Sequence, residues 1–144
     1  MASLTPFHLA LAVPDLERAR AFYGDVLGCA EGRSAATWID FNFYGHQLVV
    51  HQVSSPAAEE RAAKAHNSVD GHHIPVPHFG VVLHWQDWQA LADRLKALQV
   101  DFIVEPHIRF AGQVGEQATL FFCDPFGHAL EFKAFKDLGR LFAQ

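Results

Sequence analysis

A chain of 144 residues is long enough for one domain with a real core. Half of its residues are hydrophobic and 19% are charged, which excludes a disordered chain. The net charge of -5 argues against a nucleic-acid surface, because phosphate binding needs clustered Lys and Arg.

The opening residues Met1 to Pro6 carry no basic stretch, and the apolar run Phe7 to Val13 is too short to span a membrane. A cytoplasmic protein is the expectation. The run Phe7-His8-Leu9-Ala10-Leu11-Ala12-Val13 reads as a strand. Asp15 is a natural helix N-cap, Leu16, Ala19, Tyr23 and Leu27 follow at helical spacing, and Gly28 suits the stop. Trp38 to Phe43 and Gln47 to Val53 read as strands around a turn at Tyr44-Gly45. Residues 5–54 therefore form a first module: strand, helix, then two or three strands.

Residues 55–76 differ in composition. An Ala-, Glu- and Lys-rich stretch that could form a helical turn or two leads to His66-Asn-Ser-Val-Asp-Gly-His72-His73-Ile-Pro-Val. So long a connection is usually functional, and it is the candidate lid or pocket rim. Its histidines His66, His72 and His73 read as surface residues.

The order then repeats over residues 77–136, followed by a tail at 137–144. His78 to Leu83 is the strand, and Trp88, Leu91, Ala92, Leu95 and Leu98 mark the helix. Val100 to Val104 reads as a short strand. Ala118 to Cys123 and His128 to Phe135 are a later pair, joined by the turn Asp124-Pro125-Phe126-Gly127. Laying the halves together pairs His8 with His78, Thr37 with Thr119, Gly45-His46 with Gly127-His128 and Leu48 with Leu130. An internal duplication of a βαβββ unit is the economical reading. Cys29 and Cys123 make no Cys-x-x-Cys pair and read as free thiols.

Strand alternation puts His8 with Ala10 and Ala12, His78 with Gly80 and Val82, and Glu131 with Ala129 and Lys133. Small neighbours leave room for a ligand, and a carboxylate inside Ala-Leu-Glu-Phe-Lys-Ala-Phe is expensive to bury without a cation or hydrogen bonds. Two imidazoles and a carboxylate on one sheet would make a metal site with open positions. Elsewhere, Arg109 precedes a predicted strand, where it could hold an anionic group, and Lys133 could meet the same anion. A solvated arginine and a snorkelling lysine fit equally. Trp38 and Phe121 could line a pocket. His46 and His128 sit in turns and read as exposed.

On Phe7-His8-Leu-Ala-Leu, Ala21-Phe-Tyr-Gly-Asp-Val-Leu-Gly28, Pro77-His78-Phe-Gly-Val and Asp124-Pro-Phe-Gly-His-Ala-Leu-Glu131-Phe, the chain resembles the vicinal oxygen chelate superfamily of glyoxalases, extradiol dioxygenases and drug-resistance proteins. Within it the chain is most similar to single-domain predicted extradiol-type dioxygenases. The resemblance implies an α+β fold: two tandem βαβββ modules forming an open, cupped mixed β-sheet barrel with helices outside. It implies a divalent metal, Fe(II) favoured with Mn, Ni or Zn as alternatives, on His8, His78 and Glu131. It also implies a homodimer. Glyoxalase I-like members take a fourth ligand at the first-module counterpart of Glu131, which is Val49 here. His51, two residues on and on the same face, could substitute as that ligand if the register slips, or act as the acid/base. A small bidentate oxygen substrate such as a catechol is expected. Two readings stay open beside the dioxygenase: a glyoxalase-like isomerase or thiol transferase, and a non-enzymatic drug- or toxin-binding resistance protein.

Overall fold

The structure, a computed structural model, describes residues 4–54, 66–69 and 71–144. The helical turn expected in the Ala/Glu/Lys stretch lies outside the described residues. The chain divides into two compact units, Met1–Glu60 and Arg61–Gln144.

In the first unit, strand β1 (His8–Val13) leads through Asp15 into helix α1 (Leu16–Ala19). The Asp15 carboxylate accepts from the backbone N–H groups of Glu17 and Arg18 at 2.9 and 3.1 Å, satisfying two of the orphan donors of the first turn. The helix expected as far as Leu27 keeps α geometry for one turn only. Over Arg20–Val26 it widens into a π-helix, and Leu27 N–H reaches back to Phe22 O at 3.0 Å. Cys29 N–H then bonds Tyr23 O at 2.9 Å, with Gly28 at φ 75°, a conformation open to glycine without strain. Strands β2 (Ala30–Ala35), β3 (Trp38–Phe43) and β4 (His46–Gln52) complete a sheet of order β1-β4-β3-β2, with β1 and β4 parallel. Ala30–Ala35 is exposed throughout and lacks apolar alternation, so periodicity gave it no signature. Arg20 ties the helix to this edge strand through a two-pronged contact with the Glu31 carboxylate, at 2.7 and 3.0 Å.

In the second unit, strands β5 (His66–Val69) and β6 (His72–Pro75) form a hairpin within the stretch read as a connection. The single strand expected over His78 to Leu83 is two short ones, β7 (His78–Phe79) and β8 (Val82–Leu83). Both run parallel to β11 (Ala129–Phe135). The break falls where Gly80 crosses β11: a Cβ on Gly80 would sit 1.5 Å from the Glu131 carbonyl oxygen. Helix α2 (Trp85–Ala97) buries Trp88, Leu91, Ala92 and Leu95, the i, i+3, i+4, i+7 stripe of a helix on a sheet. Its Trp88 indole N–H donates to the Phe132 carbonyl at 2.9 Å. Strand β9 (Phe102–Arg109) is longer than the Val100 to Val104 reading and ends on Arg109, which still precedes the next strand. With β10 (Gln117–Cys123) the sheet order is β7-β11-β10-β9, β8 also pairing with β11.

The two units thus share one topology. Parallel pairing aligns His8 with Gln47 in the first and His78 with Ala129 in the second. Val49 accordingly takes the place of Glu131, as the alignment of the Gly-His turns gives. On the neighbouring strand the match shifts by one. Trp38 faces His51 as Thr119 faces Lys133, so Trp38 and not Thr37 is the counterpart of Thr119. The physical reason is the turn. Two residues, Tyr44 and Gly45, link β3 to β4, and both adopt positive φ. The second-unit turn between Cys123 and Ala129 is longer, and the buried Asp124 carboxylate organises it by accepting from the N–H groups of Phe126 and His128.

Candidate metal centre and substrate pocket

The site is built on the sheet face of the second unit that α2 does not cover. Leu120, Phe122, Leu130 and Phe132 are fully buried on one side, while Thr119, Phe121, Glu131 and Lys133 alternate to the other. His78 and Glu131 meet there, His78 Nε2 lying 3.1 Å from Glu131 Oε2. Each is fixed from behind. His78 Nδ1–H donates to the Pro75 carbonyl at 2.7 Å, and Glu131 Oε1 accepts from the Thr119 hydroxyl at 2.9 Å. The Phe121 ring stands edge-on to the imidazole at 5.0 Å.

This arrangement dictates a tautomer. Because a carbonyl only accepts, the proton of a neutral His78 is on Nδ1, and the Nε2 lone pair faces a carboxylate oxygen. Two acceptors at that separation call for a cation or a proton between them. The donor set fits a divalent metal, whose histidine ligands typically donate their other N–H to a carbonyl or carboxylate.

The first unit repeats the detail. His8 Nδ1 lies 2.8 Å from Gln47 Oε1, and the Gln47 amide nitrogen donates to Asp40. The amide oxygen must then accept from His8, again leaving Nε2 as the free nitrogen of an exposed imidazole. Among the described residues no group of three or more His, Cys, Asp or Glu side chains is gathered for a metal ion. The second unit joins His78 to Glu131, and His8 stands on the first unit's sheet.

The remaining candidates divide between the units. His51 and Trp38 face one another on β4 and β3, on the same sheet face as His8 and Val49. His51 is one alternation step beyond Val49, about 7 Å along the strand. Lys133 occupies the corresponding position in the second unit, one step beyond Glu131. His46 accepts from the Phe7 backbone N–H through Nδ1 at 2.8 Å, so it caps the strand entry, and it is half-buried, as is His128. His72 and His73 are exposed, as read, and the His66 side chain lies outside the described residues.

A pocket of about 190 Å³ opens over the His78–Glu131 pair, with Phe121, Thr119, Lys133 and Arg109 in its wall. Ile74 of β6 closes one side, packing with Val104 and Phe121 in a buried apolar cluster, so the hairpin does contribute a rim. His107, which regular strand alternation does not single out, also lines the pocket. A bulge brings it there. Thr119 pairs with His107 but Phe121 with Val104, three residues away on β9. That extra residue reverses the alternation, so Val104, His107 and Arg109 share one face. Pro106, next to the bulge, was the available signal, since proline in a strand favours bulges and edges. Away from the site, burial pushes the thiol pKa of Cys29 up to about 11 and raises that of Cys123 as well.

A βαβββ module folded twice, with a histidine opening each copy and a carboxylate on the second, is the frame on which these side chains are presented. The chain belongs to the Glyoxalase/Bleomycin resistance protein/Dioxygenase superfamily, whose profile matches residues 5–132. A glyoxalase/bleomycin resistance protein/dioxygenase from Alicyclobacillus acidocaldarius is 29% identical, with 96% of each chain covered and a TM-score of 0.75. A fosfomycin resistance protein, FosX, from Listeria monocytogenes is 19% identical, covering 96% of this chain and 97% of that one, with a TM-score of 0.62. A glyoxalase/dioxygenase from Nostoc punctiforme is 18% identical, with 95% and 99% covered and a TM-score of 0.64. The last two likenesses are of fold. No curated protein matches the chain. Among the described residues no helix is long and apolar enough to cross a membrane.

Proposed function

We propose that the chain is a metal-dependent enzyme of the vicinal oxygen chelate type, an extradiol-like dioxygenase acting on a small catechol-like substrate. The observation that carries this reading is the His78–Glu131 pair at 3.1 Å, both members anchored from behind so that a lone pair and a carboxylate converge. His8 supplies the second imidazole, prepared in the same way by Gln47. A divalent metal on His8, His78 and Glu131, Fe(II) by preference, would serve as Lewis acid and template for two adjacent substrate oxygens. Val49 leaves the first module without a fourth protein ligand, which favours a substrate-chelating chemistry over a four-ligand glyoxalase.

The chain's own groups do the rest. Thr119 holds the carboxylate in its rotamer, and Phe121 supplies an apolar wall against which an aromatic ring can rest. His51 is assigned to accept the substrate's second proton instead of ligating, because one strand step beyond Val49 takes it out of ligating reach. The protein acts in the cytoplasm as a homodimer. Metal analysis of protein purified without added ions, followed by anaerobic loading with Fe(II) and oxygen-uptake assays over a catechol panel, tests the reading. One ion per chain and uptake with at least one catechol are expected, whereas absence of uptake across the panel refutes the dioxygenase. Replacing His51 with Gln should lower kcat about 10²–10⁴-fold at unchanged metal content.

A further inference from the structure

Apart from its carboxylate–imidazole pair, the second-unit pocket carries a charge pattern that oxygen chelation does not use. Among the described residues its wall contains two permanent cations, Arg109 and Lys133, against one carboxylate, Glu131. That excess stands out in a chain whose net charge is -5. Glu131 is already engaged by His78 and Thr119. Among the described residues no carboxylate pairs with Lys133, whose Nζ lies 5.7 Å from the centre of the Phe135 ring. The Arg109 guanidinium is steered by Phe110, 4.9 Å below it. Both cations line the pocket with Ile74, Val104 and Phe121, so they stand beside an apolar wall, where charge attraction is screened less than in open water.

Building on the reading of the pocket as a chelating site, we infer that the substrate carries an oxyacid anion, a carboxylate or a phosphonate, and that Lys133 and Arg109 receive it. Strand geometry sets the spacing. Lys133 is one alternation step from Glu131, about 7 Å along β11. Arg109 belongs to the row of Gln117, one step beyond the row of Thr119 and Lys133, hence about 13 Å from the Glu131 row. The anion therefore sits between about 7 and 13 Å from the chelating oxygens, the reach of an aromatic ring bearing a short acidic arm. Arg109 supplies a fork that matches two oxygens and Lys133 a point charge, a combination suited to either oxyacid. The β9 bulge is the structural reason that Arg109 takes part: with regular alternation from Val104 it would face away.

The test separates this anion site from the chelating reaction. Calorimetric binding to the protein as purified is measured for phenylacetate and phenylphosphonate, neither of which offers adjacent hydroxyls, against methyl phenylacetate. At least one acid should bind tenfold or more tightly than the ester, and the better acid identifies the oxyacid. Lys133→Gln and Arg109→Gln should each reduce that preference to threefold or less, with metal content and circular dichroism unchanged. Equal binding of acids and ester by the parent protein overturns the inference, and this comparison needs no variant. Oxygen uptake is then compared for catechols with and without a carboxylate arm. Charge-dependent binding without any uptake upholds the anion site and removes the dioxygenase. Uptake at equal KM for neutral and anionic catechols does the reverse.

Discussion

Gly80→Ala tests the architecture that holds the site together. The added Cβ would lie 1.5 Å from the carbonyl oxygen of Glu131, 2.6 Å from its carbonyl carbon and 3.3 Å from its nitrogen. All three are backbone atoms of a central strand, so no side chain can swing aside. Ordinary contact needs about 3.4 Å or more, so β11 and the β7–β8 segment must separate by roughly 2 Å. That separation breaks the pairing of β7 and β8 with β11 and the 3.1 Å bond from Lys133 N–H to Val81 O. At about 1 kcal/mol net per hydrogen bond, plus packing lost beneath α2, the variant should lose about 4 kcal/mol or more, a large share of a typical domain's stability. Gly127→Ala is the control. Unlike Gly80 it has positive φ, 92°, but open space around its Cβ, so only the backbone penalty of about 1–2 kcal/mol applies. Urea denaturation of the three proteins compares them directly. A Gly80→Ala variant within 1 kcal/mol of the parent, or no less stable than Gly127→Ala, refutes the close crossing.

Three further outcomes follow from the same geometry. Thr119→Val should weaken divalent-metal binding about 10–100-fold while Thr119→Ser retains it, as read by competitive chelator titration. Trp88→Phe should destabilise the protein by about 2–4 kcal/mol, because it removes both indole packing and the bond to Phe132 O, and thermal unfolding measures the loss. The Cys29 thiol, held near 11 by burial, should alkylate slowly at pH 8 and about tenfold faster per pH unit above it. Its raised value favours the folded state fully below the ordinary thiol pKa of 9.0, so this contribution disappears as pH climbs from there toward 11, visible as a falling melting temperature absent in Cys29→Ala.

Periodicity and turn chemistry determined a great deal by themselves. Asp15 and Gly28 bracket the first helix, the Trp88–Leu95 stripe identifies the second, and the Gly45-His46 and Gly127-His128 turns set the alignment that matches Val49 to Glu131. These signals are local, each depending on a residue's own backbone preference or on side-chain spacing within one element. The doubled βαβββ order follows from them.

Tertiary structure alone decided the rest, because it depends on partners distant in sequence. Gly80 splits one strand into two since β11 passes against its Cα, and no pattern around residue 80 reveals that crossing. Thr119 became the support of Glu131 through cross-strand register, twelve residues away. The extra residue on β9 put His107 and Arg109 into the pocket, where strict alternation from Val104 would have offered Pro106 and Ile108 instead. A two-residue period is legible only while the ladder is regular, and a single bulge, set by pairing between strands, inverts every side chain beyond it.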